Sequence, residues 1–492
     1  MKNLINTSRL RPSTAPHTSL TASTQSDRGR LLYSASFRRL QQKAQVFSLE
    51  SNAAVRSRLT HSIEVSHVGR YLVSKISELL KTAEFESVVK KEHLEFWQDR
   101  ILPISDIVET ACLMHDIGNP PFGHFGESAI ANWFTNNEID DVIYRSLQVK
   151  DRDDKEIVSR LTSDFKYFDG NPQGFRIITK LQNSGTDQYG LNLTCTQLAA
   201  FLKYVYSPST KEALESDRPF AKKIGFFDTE APQILDVWKT LNMAPHTRHP
   251  LGYLMEASDD ISYCISDIED GIEKGIIQES TFIDFLENGL KEINNPSELT
   301  SRVLEKIQSP RDGLSSFLQT KTELINQLVK NTSEKFISNL NTLIDGKHDQ
   351  ELINKGSESH SVLKILKDFT SLHIFTSAEA ESIELAGYSI IKGLLNSFSP
   401  LLSLPKVSFD ALVTKNNNFI KNNDLDIEKR LFNLLPNKHV SAYSIAIKVD
   451  ENLESEWIHR AHLIVDYISG MTDNFALEVF QGLQGIKITT MR

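Results

Sequence analysis

Cysteine is scarce in this chain. Cys112, Cys195 and Cys264 are the only three in 492 residues. Their odd number and wide spacing exclude a disulfide framework and a CxxC zinc motif, and fit a cytoplasmic protein whose cysteines behave as small buried apolar residues. Long apolar runs are also missing. No stretch approaches the roughly 18 uninterrupted apolar residues of a membrane span, so no membrane partner is expected. The opening MKNLINTSRLRPSTAPHTSLTASTQ lacks the apolar core of a secretory signal; being polar and Ser/Thr-rich, residues 1–25 read as a mobile arm. Strand-like alternation is rare, with Val440 to Val449 the best candidate for a minor β-ribbon. There is no internal repeat and no low-complexity tract. Positive charge is not in excess either: the formal net charge is −10. The average surface repels polyphosphates and nucleic acids, so such a ligand needs a local basic pocket or a bound metal.

Helical periodicity is what the chain has. Val65, Val68, Leu72 and Ile76 recur at three- and four-residue intervals over 61–80. Ile107, Ala111, Met114 and Ile117 do so over 105–117, where Asp106 and Glu109 resemble an N-terminal cap and its back-reaching partner. Gly118, Pro120 and Pro121 end that helix. Ile261, Cys264, Ile265 and Ile268 share a face of 259–274. Further apolar-periodic segments run through 280–292, 313–345, 361–373, 379–397 and 457–483. The expectation is an all-α (mainly α-helical) protein. A catalytic core spans 26–275, with a polar, charge-mixed and exposed elaboration at 135–165. A helical C-terminal lobe, 276–492, completes the pocket and the subunit contacts.

Three of these helices carry metal-binding chemistry. His61, the pair His115–Asp116, and Asp259–Asp260 stand at or near helix ends. On the last helix Asp259, Tyr263, Ser266, Asp267 and Asp270 form a polar stripe opposite Ile261, Ile265 and Ile268, which favours Asp259 over Asp260 as the ligand. Two imidazoles and two carboxylates make a borderline-to-hard set. It suits one six-coordinate divalent cation, Mg²⁺ or Mn²⁺ first, with Co²⁺, Ni²⁺ or Fe²⁺ as further options. Any one of these histidines alone is more often a hydrogen-bonded core residue; the three-part pattern on helices is what argues for a metal. Just beyond lies NPPFGHFGE, where His124 and Glu127 stand three apart beside Gly123 and Gly126. A carboxylate accepting from one imidazole nitrogen fixes the tautomer and raises the basicity of the ring, so His124 and Glu127 form a candidate acid/base pair.

The segments SDRGRLLYSASFRRLQQKAQVF, RLTHSIEVSHVGRY, CLMHDIGNPPFGHFGE, YFDGNPQGFRI, MEASDDISYCISDIED and DYISGMTD together resemble the bacterial deoxyguanosinetriphosphate triphosphohydrolases of the HD superfamily. The likeness runs from about residue 26 to about 475. It implies a helical HD-domain fold and hydrolysis of dGTP to deoxyguanosine and inorganic triphosphate by water attack on the α-phosphorus, in control of dNTP pools. It implies metal ligands at His61, His115, Asp116 and Asp259, and catalytic roles for His124 and Glu127. Asn171, Lys203 and Lys223 match polar and basic pocket positions, and Arg58, three before His61 on the same helix, is a candidate phosphate contact. Tyr263 and Asp267 match a sugar-binding pair that rejects a 2′-hydroxyl and accepts from the 3′-hydroxyl. Val46 and Glu384 match base-contacting positions, and Arg430 a residue reaching a neighbouring subunit's pocket. Closed homo-oligomers, often hexamers, and a response to single-stranded DNA are further implications, although no basic-aromatic tract for single strands stands out. Two stretches depart from the pattern. LQNSGTDQYGLNLTCTQ looks longer than usual, and 205–222 looks shorter and less aromatic. Two other readings compete: an HD phosphohydrolase acting on a different nucleotide, and a non-catalytic helical sensor of nucleotide or single-stranded DNA. A pure binder has no need of His124 and Glu127.

Overall fold

A computed structural model describes residues 1–15, 17–149, 154–182, 189–214, 219–310, 313–449 and 452–487. Parts of both departing stretches, and the tip of the 135–165 segment, lie outside the described residues. Among those described, the chain is helical throughout. Its only β contacts are two isolated bridges, Arg9 with Thr194 and Ala44 with Ser57. The expected mainly α-helical class is therefore correct. The helices that build or buttress the site are α1 (Leu20–Leu32), α2 (Arg58–Leu79), α3 (Ile101–Met114), α4 (Gly123–Thr135), α5 (Gly170–Arg176), α6 (Pro250–Glu273), α7 (Ala378–Ser403), α8 (Leu453–Ser469) and α9 (Asp473–Leu483).

Local chemistry sets where the key helices begin. Ser57 and Thr60 form a reciprocal capping box at the start of α2, which satisfies two N–H groups that have no partner inside the helix. His249 caps α6, and Pro250 takes its first turn, where a missing N–H costs nothing. The apolar stripe of α2, including Val65, Leu72 and Ile76, packs with Ile107 and Val108 of α3 and Ile261 and Ile268 of α6 in one buried core. α4, α7, α8 and α9 share a second core, and α1 with α5 a third.

Five expectations need correcting. A boundary at 275/276 marks no break, because Ile268 before it and Ile277, Phe282 and Leu286 after it belong to the same core. Residues 135–165 are not merely an exposed elaboration. They form helices Glu138–Leu147 and Lys155–Lys166, whose Ile139, Ile143, Ile157, Leu161 and Phe165 are buried in the second core. Apart from the buried Asp164, which meets His462 at 2.9 Å, their charges lie toward the outer faces, and composition alone hid the period. The 1–25 segment is not a free arm: Leu4 and Ile5 are buried, Asn6 donates its N–H to Thr196 Oγ1 at 3.0 Å, and Arg9 pairs with the buried Asp27 at 2.6 Å. Finally, Val440–Val449 is no ribbon, since Asn437–Ala446 is a helix. The cap assigned to Asp106 and Glu109 also fails. α3 begins at Ile101; Asp106 accepts from Thr24 and Gln25, and Glu109 pairs with Arg28 and Arg70 of neighbouring helices.

Candidate active site

α2, α3 and α6 cross so that four side chains distant in sequence face one another. One ligand atom each from His61, His115 and Asp116 falls within 4.8 Å of the others. Asp259 Oδ1 lies 3.6 Å from His61 Nε2 and 3.5 Å from His115 Nε2. His115 Nδ1 is 2.7 Å from the Cys112 carbonyl. That bond places the ring proton on Nδ1 and leaves the Nε2 lone pair directed at the cluster. His61 is fully buried, and neither ring nitrogen has a hydrogen-bond partner among the described residues. A buried polar atom without a partner is costly, and a cation beside His61 Nε2 resolves the deficit at that atom. The donor set and this orphaned imidazole therefore fit a divalent cation.

The carboxylates are held ionised. Burial pushes Asp116 up, but the facing His115 and Arg58 outweigh it and bring the group down to about 2. Arg58 donates to Asp116 Oδ2 at 2.7 Å, and Asn119 Nδ2 to Oδ1 at 2.7 Å. For Asp259, burial is likewise outweighed by the two imidazoles and Lys203, and the group sits well below the usual carboxylate range.

His124 and Glu127 are hydrogen-bonded to each other. His124 Nδ1 lies 2.8 Å from Glu127 Oε2, and the Gly170 N–H donates to Glu127 Oε1 at 2.8 Å. Glu127 thus ties His124 to the start of α5. Its hydrogen bond is the main reason the His124 imidazole titrates above the ordinary histidine value. The ring itself is exposed to the cavity. α4 is entered through two consecutive left-handed residues, Phe122 (φ 61°) and Gly123 (φ 54°). A Cβ on Gly123 would stand 2.9 Å from Arg58 Nη2, so glycine lets the loop lie directly over Arg58. A Cβ on Gly118 would meet the Gly170 carbonyl at 2.0 Å, which explains how the HD loop and α5 approach so closely.

The cluster opens into a cavity of about 630 Å³ lined by Val46, Arg58, His61, His115, Asp116, His124, Glu127, Asn171, Lys203, Lys223, Asp259, Tyr263 and Glu384. Two anticipated residues do not reach it. Asp267 is fully buried one turn beyond Tyr263. Neither of its oxygens has a hydrogen-bond partner among the described residues, and burial, reinforced by Asp270, raises its pKa well above the usual range. Arg430 is exposed on a surface helix and pairs locally with Asp426 at 3.6 Å, so it does not join the cavity of its own chain. Several lining residues had no sequence signal, among them Asp169, Tyr204, Lys367 and Ile383; Asp260, set aside in favour of Asp259, lines the cavity as well. Asp169 orders Asn171 through its N–H and Nδ2 at 2.9 and 2.6 Å and pairs with Lys223. Lys203, Lys223 and Lys367 bring cationic groups into this cavity, each beside a carboxylate: Asp259, Asp169 and Asp260 respectively. Lys203 lies 3.6 Å from Asp259 Oδ2. Burial opposes its charge, yet Asp259, Asp260 and Glu256 keep its pKa well above the ordinary lysine value. All three cysteines are buried and unpaired.

A helical core presenting His, His-Asp and Asp around one centre, with cations lining the adjoining cavity, is the arrangement of a metal-assisted phosphohydrolase of the HD class. Residues 58–170 match the HD domain, and residues 427–482 match the phosphohydrolase-associated domain. The chain is 37% identical over 490 residues to the deoxyguanosinetriphosphate triphosphohydrolase of Yersinia enterocolitica, covering 93% of each. It is 37% identical over 484 residues to the probable deoxyguanosinetriphosphate triphosphohydrolase of Pseudomonas aeruginosa, covering 94% of this chain and 93% of that one. The corresponding enzyme of Yersinia pseudotuberculosis is also 37% identical, over 489 residues and 93% of each chain. The chain belongs to the deoxyguanosinetriphosphate triphosphohydrolase family.

Proposed function

We propose that this protein hydrolyses dGTP to deoxyguanosine and inorganic triphosphate. The observation that carries the reading is the juxtaposition, in one lysine-lined cavity, of the His61–His115–Asp116 cluster and the adjacent Asp259 with the hydrogen-bonded His124–Glu127 pair. Family membership supports the choice of substrate. His61, His115, Asp116 and Asp259 would hold one divalent cation, Mg²⁺ or Mn²⁺. When bound, that cation supplies Lewis acidity toward a phosphoryl oxygen and lowers the pKa of a coordinated water. Arg58, Lys203, Lys223 and Asn171 bind the triphosphate and neutralise charge that the outer surface rejects. With Nδ1 committed to Glu127, His124 Nε2 is the atom that exchanges a proton with the reacting water or the departing group.

The sugar meets Tyr263, which lines the cavity and whose ring would exclude a 2′-hydroxyl. Asp267 lies directly behind, and its unsatisfied oxygens fit a role in receiving the 3′-hydroxyl once substrate displaces the Tyr263 ring. Glu384 and Val46 close the base end. A carboxylate accepts both N1–H and N2–H of guanine, which adenine cannot offer. Replacing Glu384 by Gln is therefore expected to lower the dGTP-to-dATP ratio of kcat/KM by roughly 10- to 100-fold, the worth of one charge-assisted hydrogen bond. Competition assays with paired deoxynucleotides read the ratio, and an unchanged preference would assign base reading to another residue.

Arg430, remote from its own cavity, would serve a neighbouring subunit in a closed homo-oligomer, a hexamer by family resemblance; light scattering on the purified protein tests that. No described helix is long and apolar enough to cross a membrane. The decisive assay incubates purified protein with Mn²⁺ or Mg²⁺ and each dNTP or GTP and identifies both products. Triphosphate and nucleoside released together support the reading. Monophosphate or diphosphate products would replace it with a different nucleotide hydrolase.

A further inference from the structure

The segment DYISGMTD, residues 466–473, contributes nothing to the cavity lining. It joins α8 to α9 behind the catalytic loop. Asp473, the first residue of α9, is buried. Its two oxygens accept from two backbone N–H groups far away in sequence: Oδ1 from Phe122 at 3.1 Å and Oδ2 from Ala44 at 3.0 Å. Phe122 is the left-handed residue that launches α4 and His124. Ala44 is followed by Gln45 and Val46, which line the other side of the cavity. Next to Ala44, Lys43 donates Nζ to the Ser469 carbonyl at 2.8 Å and to the Asn119 carbonyl, and Asn119 in turn holds Asp116. Burial brings the Lys43 ammonium down to about 7. One short turn therefore grips the metal loop, the base-side loop and the entry to the catalytic helix.

A bulky residue persists at positive φ only where its surroundings over-determine it. Here the Phe122 N–H is fixed by an acceptor-only group that serves a second loop at the same time. An amide in place of that carboxylate has a single accepting oxygen, so it can hold one loop but not both. We infer that Asp473 is a positioning residue: it holds the Phe122–His124 entry in register with the metal ligands and couples that register to the wall carrying Val46. This rests on the reading of His124 as the acid/base group.

The test is a double-mutant cycle on the metal-loaded full chain, using Asp473→Asn, His124→Ala and the combination. Circular dichroism and Mn²⁺ affinity report on the fold. The expected result is an Asp473→Asn enzyme that binds Mn²⁺ like the parent, with kcat lowered about 10- to 100-fold, the usual consequence of misplacing a reacting group by about 1 Å. KM should move by much less. The double variant should be no slower than His124→Ala alone, because a residue that acts through His124 has nothing left to position. A folded Asp473→Asn enzyme with kcat within about twofold of the parent overturns the inference. So does full additivity with His124→Ala, which would indicate a general structural role. If Asp473→Asn does not fold, Asp473→Ala takes its place, and failure of both to fold likewise assigns Asp473 to global stability. Should His124→Ala retain turnover, the reading of His124 falls instead, and the two failures are told apart.

Discussion

Replacing His115 by Ala is expected to abolish metal loading at micromolar cation and with it nearly all turnover. The side chain bridges two requirements. Its Nε2 stands 3.5 Å from both Asp116 and Asp259 oxygens, and its Nδ1 is anchored on the Cys112 carbonyl. Losing an outer hydrogen-bond partner of a metal ligand typically costs 10- to 100-fold in metal affinity, so removing the ligand itself should cost about 100-fold or more. The cation's contribution to the transition state is several kcal/mol, which corresponds to a fall in kcat/KM on the order of 10³-fold. The fold should survive, because the Arg58–Asp116 pair remains intact. Asp116→Ala is the less clean variant: it would leave a buried guanidinium unpaired, a change that commonly costs about 3–5 kcal/mol of stability. Calorimetric titration with Mn²⁺ alongside single-turnover hydrolysis checks the prediction. A variant that binds Mn²⁺ and turns over like the parent would remove this cluster from the chemistry.

How much of this was legible in the sequence follows from how local each interaction is. The HD pair, the His124–Glu127 spacing and the polar stripe around Asp259 could be read because each lies on one helix or one loop, where three- and four-residue intervals predict a shared face. Asp169, Lys367 and Asp473 gave no such signal. Asp473 reaches Phe122 across 351 positions, and no periodicity encodes that distance. Burial explains other misreadings. The alternation VSAYSIAIKV suggests a strand. Yet Tyr443 is buried and its hydroxyl donates to Glu456 at 2.5 Å on the neighbouring α8, a packing that requires helical spacing and overrides local strand preference. Asp106 and Glu109 looked like caps because acidic residues favour helix starts. In the fold they are acceptors for side chains from α1 and α2.

The same distinction separates the family's two matched regions. The HD segment carries His61, His115, Asp116, His124 and Glu127, whereas Asp259 lies beyond it on α6. The 427–482 segment supplies none of the cavity lining, but it does supply the carboxylate and carbonyl that fasten the loops bearing those residues. The chemistry is thus written in short motifs, and its alignment is written in contacts between the two ends of the chain.

His124→Ala should separate binding from catalysis. The ring coordinates nothing in the metal cluster, and its Nδ1 is taken by Glu127, so its removal leaves the four ligands and the lysines in place. Mn²⁺ affinity and KM for dGTP should change by less than about threefold while kcat falls about 10²- to 10⁴-fold, the span of positioned general acid–base catalysis. The pH dependence supplies an independent check. The hydrogen bond to Glu127 raises the His124 pKa, so the imidazolium persists to a higher pH than in an ordinary histidine. Glu127→Gln removes the charge that favours that form, and the limb of the kcat–pH profile belonging to His124 must then move to lower pH. Burial of Glu127 and its bond from Gly170 are preserved by the amide, so the shift is not an effect of unfolding. Profiles of parent, Glu127→Gln and His124→Ala measured at saturating dGTP decide the matter: the limb should sit highest in the parent, lower in Glu127→Gln, and be missing in His124→Ala. A limb that stays put in Glu127→Gln would mean that the proton in question resides elsewhere.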